Sequence, residues 1–93
     1  MTRLTNRLAL VTGASRGIGR ATAVALAREG AHVIAVARTV GGLEELDDEI
    51  QAAGGSTTLV PLDLADFPAI DRLGAAIHER WGHLDILVGN AGL

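Results

Sequence analysis

The sequence predicts an α/β fold with a doubly wound parallel sheet, and two observations lead to this prediction. Short, continuous apolar runs alternate with segments whose apolar residues recur at helical spacing, the pattern of buried strands alternating with amphipathic helices. Glycine stands at several of the junctions between them. The resulting order, β-α-β-α-β-α-β, builds a parallel sheet, because each helix crosses a face of the sheet and returns the chain to start the next strand in the same direction.

The first strand and the first helix are predicted within residues 8–30. The apolar run 8–11 ends at Thr12 and Gly13, which favours a short buried strand that enters a turn. From Ile18 onward, apolar residues at helical spacing indicate a helix, and Gly30 is its predicted C-terminal stop.

The second strand is predicted over His32–Ala37, which is continuous, short and rich in β-branched residues, as in a strand covered on both faces. The second helix follows, because apolar residues recur at helical spacing between acidic ones until two glycines end the segment. Its apolar positions are Leu43, Leu46, Ile50 and Ala53. The acidic run 44–49 alternates with this stripe, and we interpret it as a solvated helix face.

The third strand is predicted over Thr57–Leu62. Asp66 is the expected N-cap of the third helix, with Pro68 in its first turn, and an apolar face then continues to Trp81, which we interpret as a structural side chain. The run Leu84–Gly89 is the predicted fourth strand.

The most natural strand order for these four strands is 3-2-1-4. We interpret residues 1–93 as the N-terminal part of a single domain, because the sequence stops directly after the fourth strand without a helix to cover it. The uncovered strand also predicts self-association, and we expect a homo-oligomer.

The composition restricts the class of protein. With 48% hydrophobic and 20% charged residues the chain has material for a core, which argues against disorder. The apolar runs are far shorter than the roughly 18 residues of a membrane span, and no apolar region of a secretory signal precedes the first strand, so we expect a cytoplasmic protein without a membrane partner. A net charge of −3 argues against nucleic acid, and the absence of cysteine excludes disulfides.

The turn between the first strand and the first helix lies where a doubly wound sheet binds a dinucleotide. Gly13 permits the tight turn, Gly17 lets the backbone approach a pyrophosphate, and Gly19 lets the helix pack closely on the strand. The helix start offers free N–H groups and a positive dipole end to phosphates. Ser15 can add a hydroxyl donor and Arg16 a full positive charge.

A structural turn without a ligand would also explain three glycines taken alone. Their spacing differs from the G-x-G-x-x-G fingerprint and from the triphosphate-binding loop that ends in Gly-Lys. The sequence contains no Lys, so a nucleotide triphosphatase loop is excluded.

Three motifs in order resemble the short-chain dehydrogenase/reductase family. Thr-Gly-x-x-x-Gly-x-Gly at residues 12–19 is similar to the family's cofactor motif. Asp63-Leu64 is similar to the acidic pair that hydrogen-bonds the adenine ring through the carboxylate and the following amide. Leu84–Gly92 resembles the fourth strand that runs into Asn-Asn-Ala-Gly. The resemblance covers essentially all 93 residues and implies a Rossmann-like fold that binds a nicotinamide dinucleotide.

One position departs from the family pattern, and other family residues are absent from the sequence. Gly89 stands where the family usually has the first Asn of the tetrad, so a hydrogen bond that steadies the strand end is lost, whereas Asn90, Ala91 and Gly92 match. Family members use a Ser, an Asn and a Tyr-x-x-x-Lys pair, with Tyr as the general base. The sequence has neither Tyr nor Lys. We therefore assign no catalytic residue and expect the chain alone to be inactive.

The end of the second strand predicts the cofactor. Folds that prefer NAD place an Asp or Glu about 20 residues past the glycine turn, but this stretch reads Arg38-Thr39. Arg38 offers a charge-assisted fork to the 2′-phosphate of NADP, Thr39 adds a hydroxyl, and Arg16 contributes less. The alternatives are NAD as cofactor and arginines that are only solvated surface residues. The predicted cofactor-binding residues are Gly13, Ser15, Arg16, Gly17, Ile18, Gly19, Arg38, Thr39, Asp63, Leu64, Asn90, Ala91 and Gly92.

The resemblance implies hydride transfer between the nicotinamide cofactor and a small-molecule alcohol or carbonyl substrate. The alternatives are a non-catalytic module that binds adenine nucleotide and a purely structural half-domain. No metal is predicted, because His32, His78 and His83 are widely separated and have no carboxylate at ligand spacing.

Overall fold

The computed structural model describes residues 4–14, 17–63 and 65–89, which fold as the predicted alternation of strands and helices. The strands are β1 (Leu8–Thr12), β2 (His32–Ala37), β3 (Ser56–Pro61) and β4 (Ile86–Val88). The helices are α1 (Gly17–Arg28), α2 (Val40–Ala52) and α3 (Phe67–Trp81). The helix and strand bounds differ from the predicted ones by a few residues, and β2 has the predicted bounds.

Within the described residues the strands form one parallel sheet in the order β3-β2-β1-β4. This confirms the predicted fold class and strand order. Leu8 pairs with His32 and Thr12 with Val36, so β1 and β2 run side by side over the full length of β1. All four strands point the same way, and their carboxyl ends therefore meet along one edge, which we call the carboxyl edge.

The apolar core has two parts, one on each face of the sheet. Successive residues of β2 alternate between the faces: Val33 and Ala35 pack with α1 and α2, whereas Ile34 and Val36 pack with α3. Every residue from Val33 to Ala37 is buried, which is the physical reason that β2 is a continuous apolar run.

The ends of α3 follow the chemistry that the sequence predicts. The carboxylate of Asp66 accepts a hydrogen bond from the Ala69 backbone N–H at 3.1 Å, and Pro68 lies in the first turn. Gly82 ends the helix in the left-handed conformation, with φ of 78°. The first two helices begin earlier than predicted, α1 at Gly17 and α2 at Val40.

The fourth strand is shorter than the predicted span of residues 84–89. Asp85 lies opposite Leu8, and its backbone N–H donates to the Leu8 carbonyl at 3.0 Å. The Leu8 N–H, however, donates to the carboxylate of Asp85 at 2.8 Å instead of to a backbone carbonyl. The regular ladder of β4 therefore begins only at Ile86.

Candidate functional site

The candidate site is the row of turns that follow the strands at the carboxyl edge. Ligands of open α/β sheets bind outside the carboxyl ends of the strands, where the strand order reverses. Here that reversal lies between β1, whose crossover leads to β2, and β4 on its other side. The predicted site residues that the structure describes belong to turns at this edge or to the helix starts that follow them.

The glycine turn leaves β1 and opens α1. Gly13 and Gly17 have positive φ values of 63° and 61°, a conformation that favours glycine. The backbone N–H of Ala14 donates to the Val36 carbonyl at 3.1 Å, which ties the turn to β2. Gly19 is buried and Ile18 is largely exposed, at 77%. The predicted Ser15 and Arg16 lie outside the described residues.

The end of β2 and the end of β3 form the second part of the site. The Leu62 N–H donates to the Ala37 carbonyl at 2.9 Å and so extends the pairing of the two strands by one step. The following residues, Arg38 and Asp63, are thereby brought together, with the Arg38 Nε 3.9 Å from the Asp63 Oδ2. Thr39 is exposed and precedes α2 without a side-chain capping bond. The predicted Leu64 lies outside the described residues.

The end of β4 is hydrogen-bonded to the end of β1, directly before the glycine turn. The hydroxyl of Thr12 donates to the Val88 carbonyl at 3.3 Å. A Cβ added at Gly89 would lie 3.9 Å from this hydroxyl, an ordinary contact. Among the described residues the position therefore has room for a Cβ. Asn90, Ala91 and Gly92 lie outside the described residues.

Sequence reasoning missed an ion-pair cluster that joins α1 to α2. Arg20 Nε lies 2.9 Å from the carboxylate of Glu49, and Arg20 Nη1 lies 3.3 Å from that of Glu45. Hydrogen bonds to Glu49 and then to Glu45 raise the pKa of Arg20. The interpretation of the acidic run as a merely solvated face is therefore incomplete. The local pattern contains no signal for this contact, because the cation belongs to another helix.

Asp85 is a second residue whose role sequence reasoning missed. Its side chain is only 20% exposed, and its Oδ2 faces His83 Nε2 at 3.0 Å as well as the Leu8 N–H. The hydrogen bond from Leu8 is the main reason that the pKa of Asp85 is lowered, and the charges of His83 and Arg7 add to it. The sequence pattern predicts no carboxylate at ligand spacing for the histidines, so it gives no indication of this contact.

The other described histidine with defined contacts, His32, lies at the start of β2, remote from the carboxyl edge. Its ring nitrogens lie 2.8 Å from the hydroxyls of Ser56 and Thr58, and its ring is 5.7 Å from that of Trp81. Burial lowers its pKa, and the charge of Arg80 adds to this. These contacts are structural.

Among the described residues, no three His, Asp, Glu or Cys side chains come together in an arrangement that could bind a metal ion. None of the helices over those residues has both the length and the apolar character needed to cross a bilayer.

Comparison with known proteins identifies relatives of the whole chain. The family model described as short chain dehydrogenase matches residues 7–93. Human dehydrogenase/reductase SDR family member 11 is 47% identical over 95 residues, which cover 100% of this chain and 36% of that protein. The chain spans about a third of the length of the curated relatives that it matches first.

Solved structures share the fold. A metagenomic short-chain oxidoreductase in complex with NADP is 42% identical, with a TM-score of 0.94 over 98% of this chain and 41% of that one. Carveol dehydrogenase from Mycobacterium avium in complex with NAD is 32% identical, with a TM-score of 0.87 over 100% of this chain and 38% of that one. The glycine turn, the strand order and these matches agree, and the chain belongs to the short-chain dehydrogenase/reductase family.

Proposed function

We propose that this chain binds the cofactor of an NADP(H)-dependent oxidoreductase that acts on an alcohol or carbonyl substrate. When bound, the cofactor supplies the hydride chemistry, while the protein supplies binding and orientation. The chain contains neither Tyr nor Lys, so on this proposal it carries the cofactor-binding residues and no catalytic residue. The observation that carries the preference for NADP(H) is the exposed guanidinium of Arg38 at the end of β2.

The glycine turn fits a pyrophosphate. A Cβ added at Gly17 would meet no atom of the described residues within 4 Å, so on their side the turn borders open space at the start of α1. The first turn of a helix has backbone N–H groups without intrahelical partners, and they favour an anion there. On this proposal Gly13, Gly17 and Ile18 hold the pyrophosphate, and the buried Gly19 keeps α1 close to the sheet.

The second part of the site fits the adenosine half of the cofactor. Asp63 would hold the adenine ring through its carboxylate, and Arg38 and Thr39 would hold the 2′-phosphate. A carboxylate at the end of β2 would repel that phosphate, and the stretch Arg38-Thr39 supplies none. Structural relatives are in complex with either NADP or NAD, so the choice between the two cofactors rests on Arg38.

Replacement of Arg38 by Ala tests this choice. We expect R38A to weaken NADPH binding about tenfold, the effect of losing a hydrogen bond between charged groups, and to leave NADH binding nearly unchanged. Calorimetric titration of both cofactors into the unsubstituted chain and the variant measures this. R72A, which removes an exposed arginine of α3, is the matched control. Equal affinity for both cofactors in the unsubstituted chain, or an unchanged preference in R38A, would contradict the proposal.

We propose three further properties of the whole protein, namely its substrate class, its oligomeric state and its location. The resemblance to the family supports a small alcohol or carbonyl compound as the substrate. We also propose that the protein assembles as a homo-oligomer and is located in the cytoplasm.

A further inference from the structure

The ion pair between Arg38 and Asp63 joins two side chains to which the proposed function gives separate tasks. Arg38 Nε and Asp63 Oδ2 are 3.9 Å apart, and the two side chains are 78% and 54% exposed. One would bind the 2′-phosphate and the other the adenine ring. In the structure they face each other, so a nucleotide that binds here meets a guanidinium that already has an anionic partner.

The side chain of Asp63 is held in place more firmly than that of Arg38. Asp63 Oδ1 accepts a hydrogen bond from the Ala65 backbone N–H at 2.9 Å, and the Asp63 carbonyl accepts one from the Asp66 N–H at 2.9 Å. The carboxylate is therefore fixed by its own turn. Arg38 has the more exposed side chain and a long flexible stem, and it can turn away from Asp63 without disturbing the backbone.

We infer that Asp63 is an internal counter-ion of Arg38 and that it reduces the preference of this site for a 2′-phosphorylated adenine nucleotide. The inference rests on the proposed function. A 2′-phosphate has to displace the carboxylate from the guanidinium before it gains the full charge-assisted interaction. A nucleotide that lacks this phosphate leaves the ion pair in place. Asp63 is thus a positioning residue for Arg38 that sets the ratio of the two affinities.

The expected size of the effect follows from the exposure of the pair. Exposed ion pairs are weak and screened by salt. Removal of the carboxylate should therefore raise the affinity for the 2′-phosphate by about two- to fivefold at low ionic strength. The same removal weakens adenine binding for every adenine nucleotide, and this loss cancels in a ratio.

The test uses the two adenosine fragments of the cofactors, adenosine 2′,5′-bisphosphate and adenosine 5′-monophosphate. Their affinities are measured by calorimetry on the unsubstituted chain and on D63N, R38A and the double variant, after circular dichroism has shown that each variant folds. We expect D63N to raise the ratio of the two affinities about two- to fivefold. In the R38A background the same substitution should leave the ratio nearly unchanged, because no guanidinium remains to be released.

D66N is the matched control. It removes a carboxylate from the same turn but keeps a residue that caps α3 well, and the ratio should not change. An unchanged ratio in D63N would overturn the inference and leave the proposed function intact. If D63N raises the ratio of the two affinities equally with and without Arg38, the inference is also overturned, because Asp63 would then act only by repelling the phosphate. If neither fragment binds the unsubstituted chain, the proposed function fails, and this inference with it.

Discussion

Gly17 matters both for the backbone conformation of the turn and for the space that the proposed pyrophosphate would occupy. Its positive φ favours glycine, and no atom of the described part of the chain lies within 4 Å of a Cβ added there. Gly54, at the end of α2, has the same two properties, with φ of 85° and no atom within 4 Å of an added Cβ, but it lies on the other side of the molecule from the carboxyl edge. The two glycines therefore form a natural pair for comparison.

We expect Gly17→Ala and Gly54→Ala to lower the free energy of unfolding by similar amounts, about 1–2 kcal/mol each, since both force alanine into the left-handed region. Only Gly17→Ala should also weaken NADPH binding, because its methyl group enters the space proposed for the pyrophosphate. Urea denaturation and calorimetric titration measure the two effects. Unaltered NADPH binding by Gly17→Ala would remove the proposed role of this residue.

At the scale of elements, β4 is attached to β1 by side chains at both ends. Asp85 accepts the Leu8 N–H where the two strands begin, and Thr12 donates to the Val88 carbonyl where they end. The regular pairing between them has only three residue pairs. A strand this short depends on these two side-chain hydrogen bonds to stay attached. Because Asp85 is charged, the hydrogen bond that it accepts depends on pH.

The pKa of Asp85 lies below its ordinary value of 3.8. A carboxyl group with a lowered pKa contributes stability that is fully present above its unfolded pKa and is lost as the pH falls through the folded one. We therefore expect D85N to be less stable than the unsubstituted chain at pH 7. The difference should shrink as the pH falls below about 4.

Thermal unfolding followed by circular dichroism between pH 2.5 and 7 measures this difference. D71N, which neutralises an exposed carboxylate of α3, is the control. A stability difference between D85N and the unsubstituted chain that does not change with pH would show that the charge of Asp85 is unimportant for the attachment of β4.

At the scale of the whole molecule, β4 and a groove beside it expose apolar surface. Leu87 is 66% exposed, and within the described residues β4 pairs with β1 alone. A groove of about 290 Å³ lies close by. Its lining is mostly apolar and consists of Leu10, Ile70, Leu73, Gly74, Ile77, His78, His83 and Leu84. Exposed strand edges and contiguous apolar patches favour association.

We expect the 93-residue chain to self-associate at concentrations of tens of micromolar, and Leu87→Lys to reduce this association because a charge on β4 opposes pairing and apolar contact. Sedimentation velocity at several concentrations measures it. Val40→Lys places the same charge on an exposed apolar position at the start of α2 and should have little effect. A chain that sediments as a monomer at all concentrations would contradict the prediction.

The sequence by itself determined the elements and their order, because these depend on interactions between near neighbours. The β2 run, the Asp66 cap of α3 and the glycine that ends it can be recognised from local spacing. The glycine turn could be placed at the carboxyl edge for the same reason, since in a parallel sheet every turn after a strand lies there.

Only the tertiary structure decided which side chains meet. Asp85 shortens β4 by accepting from Leu8, 77 positions away, Arg20 reaches Glu49 across 29 positions, and Arg38 faces Asp63 because the β2 and β3 ladders end side by side. Helical and strand periodicity indicate which face of its element a residue occupies. They do not indicate which residue from a distant element packs against that face. The contacts that join separate elements therefore follow from the strand register and the packing of helices on the sheet, which arise only when the chain folds.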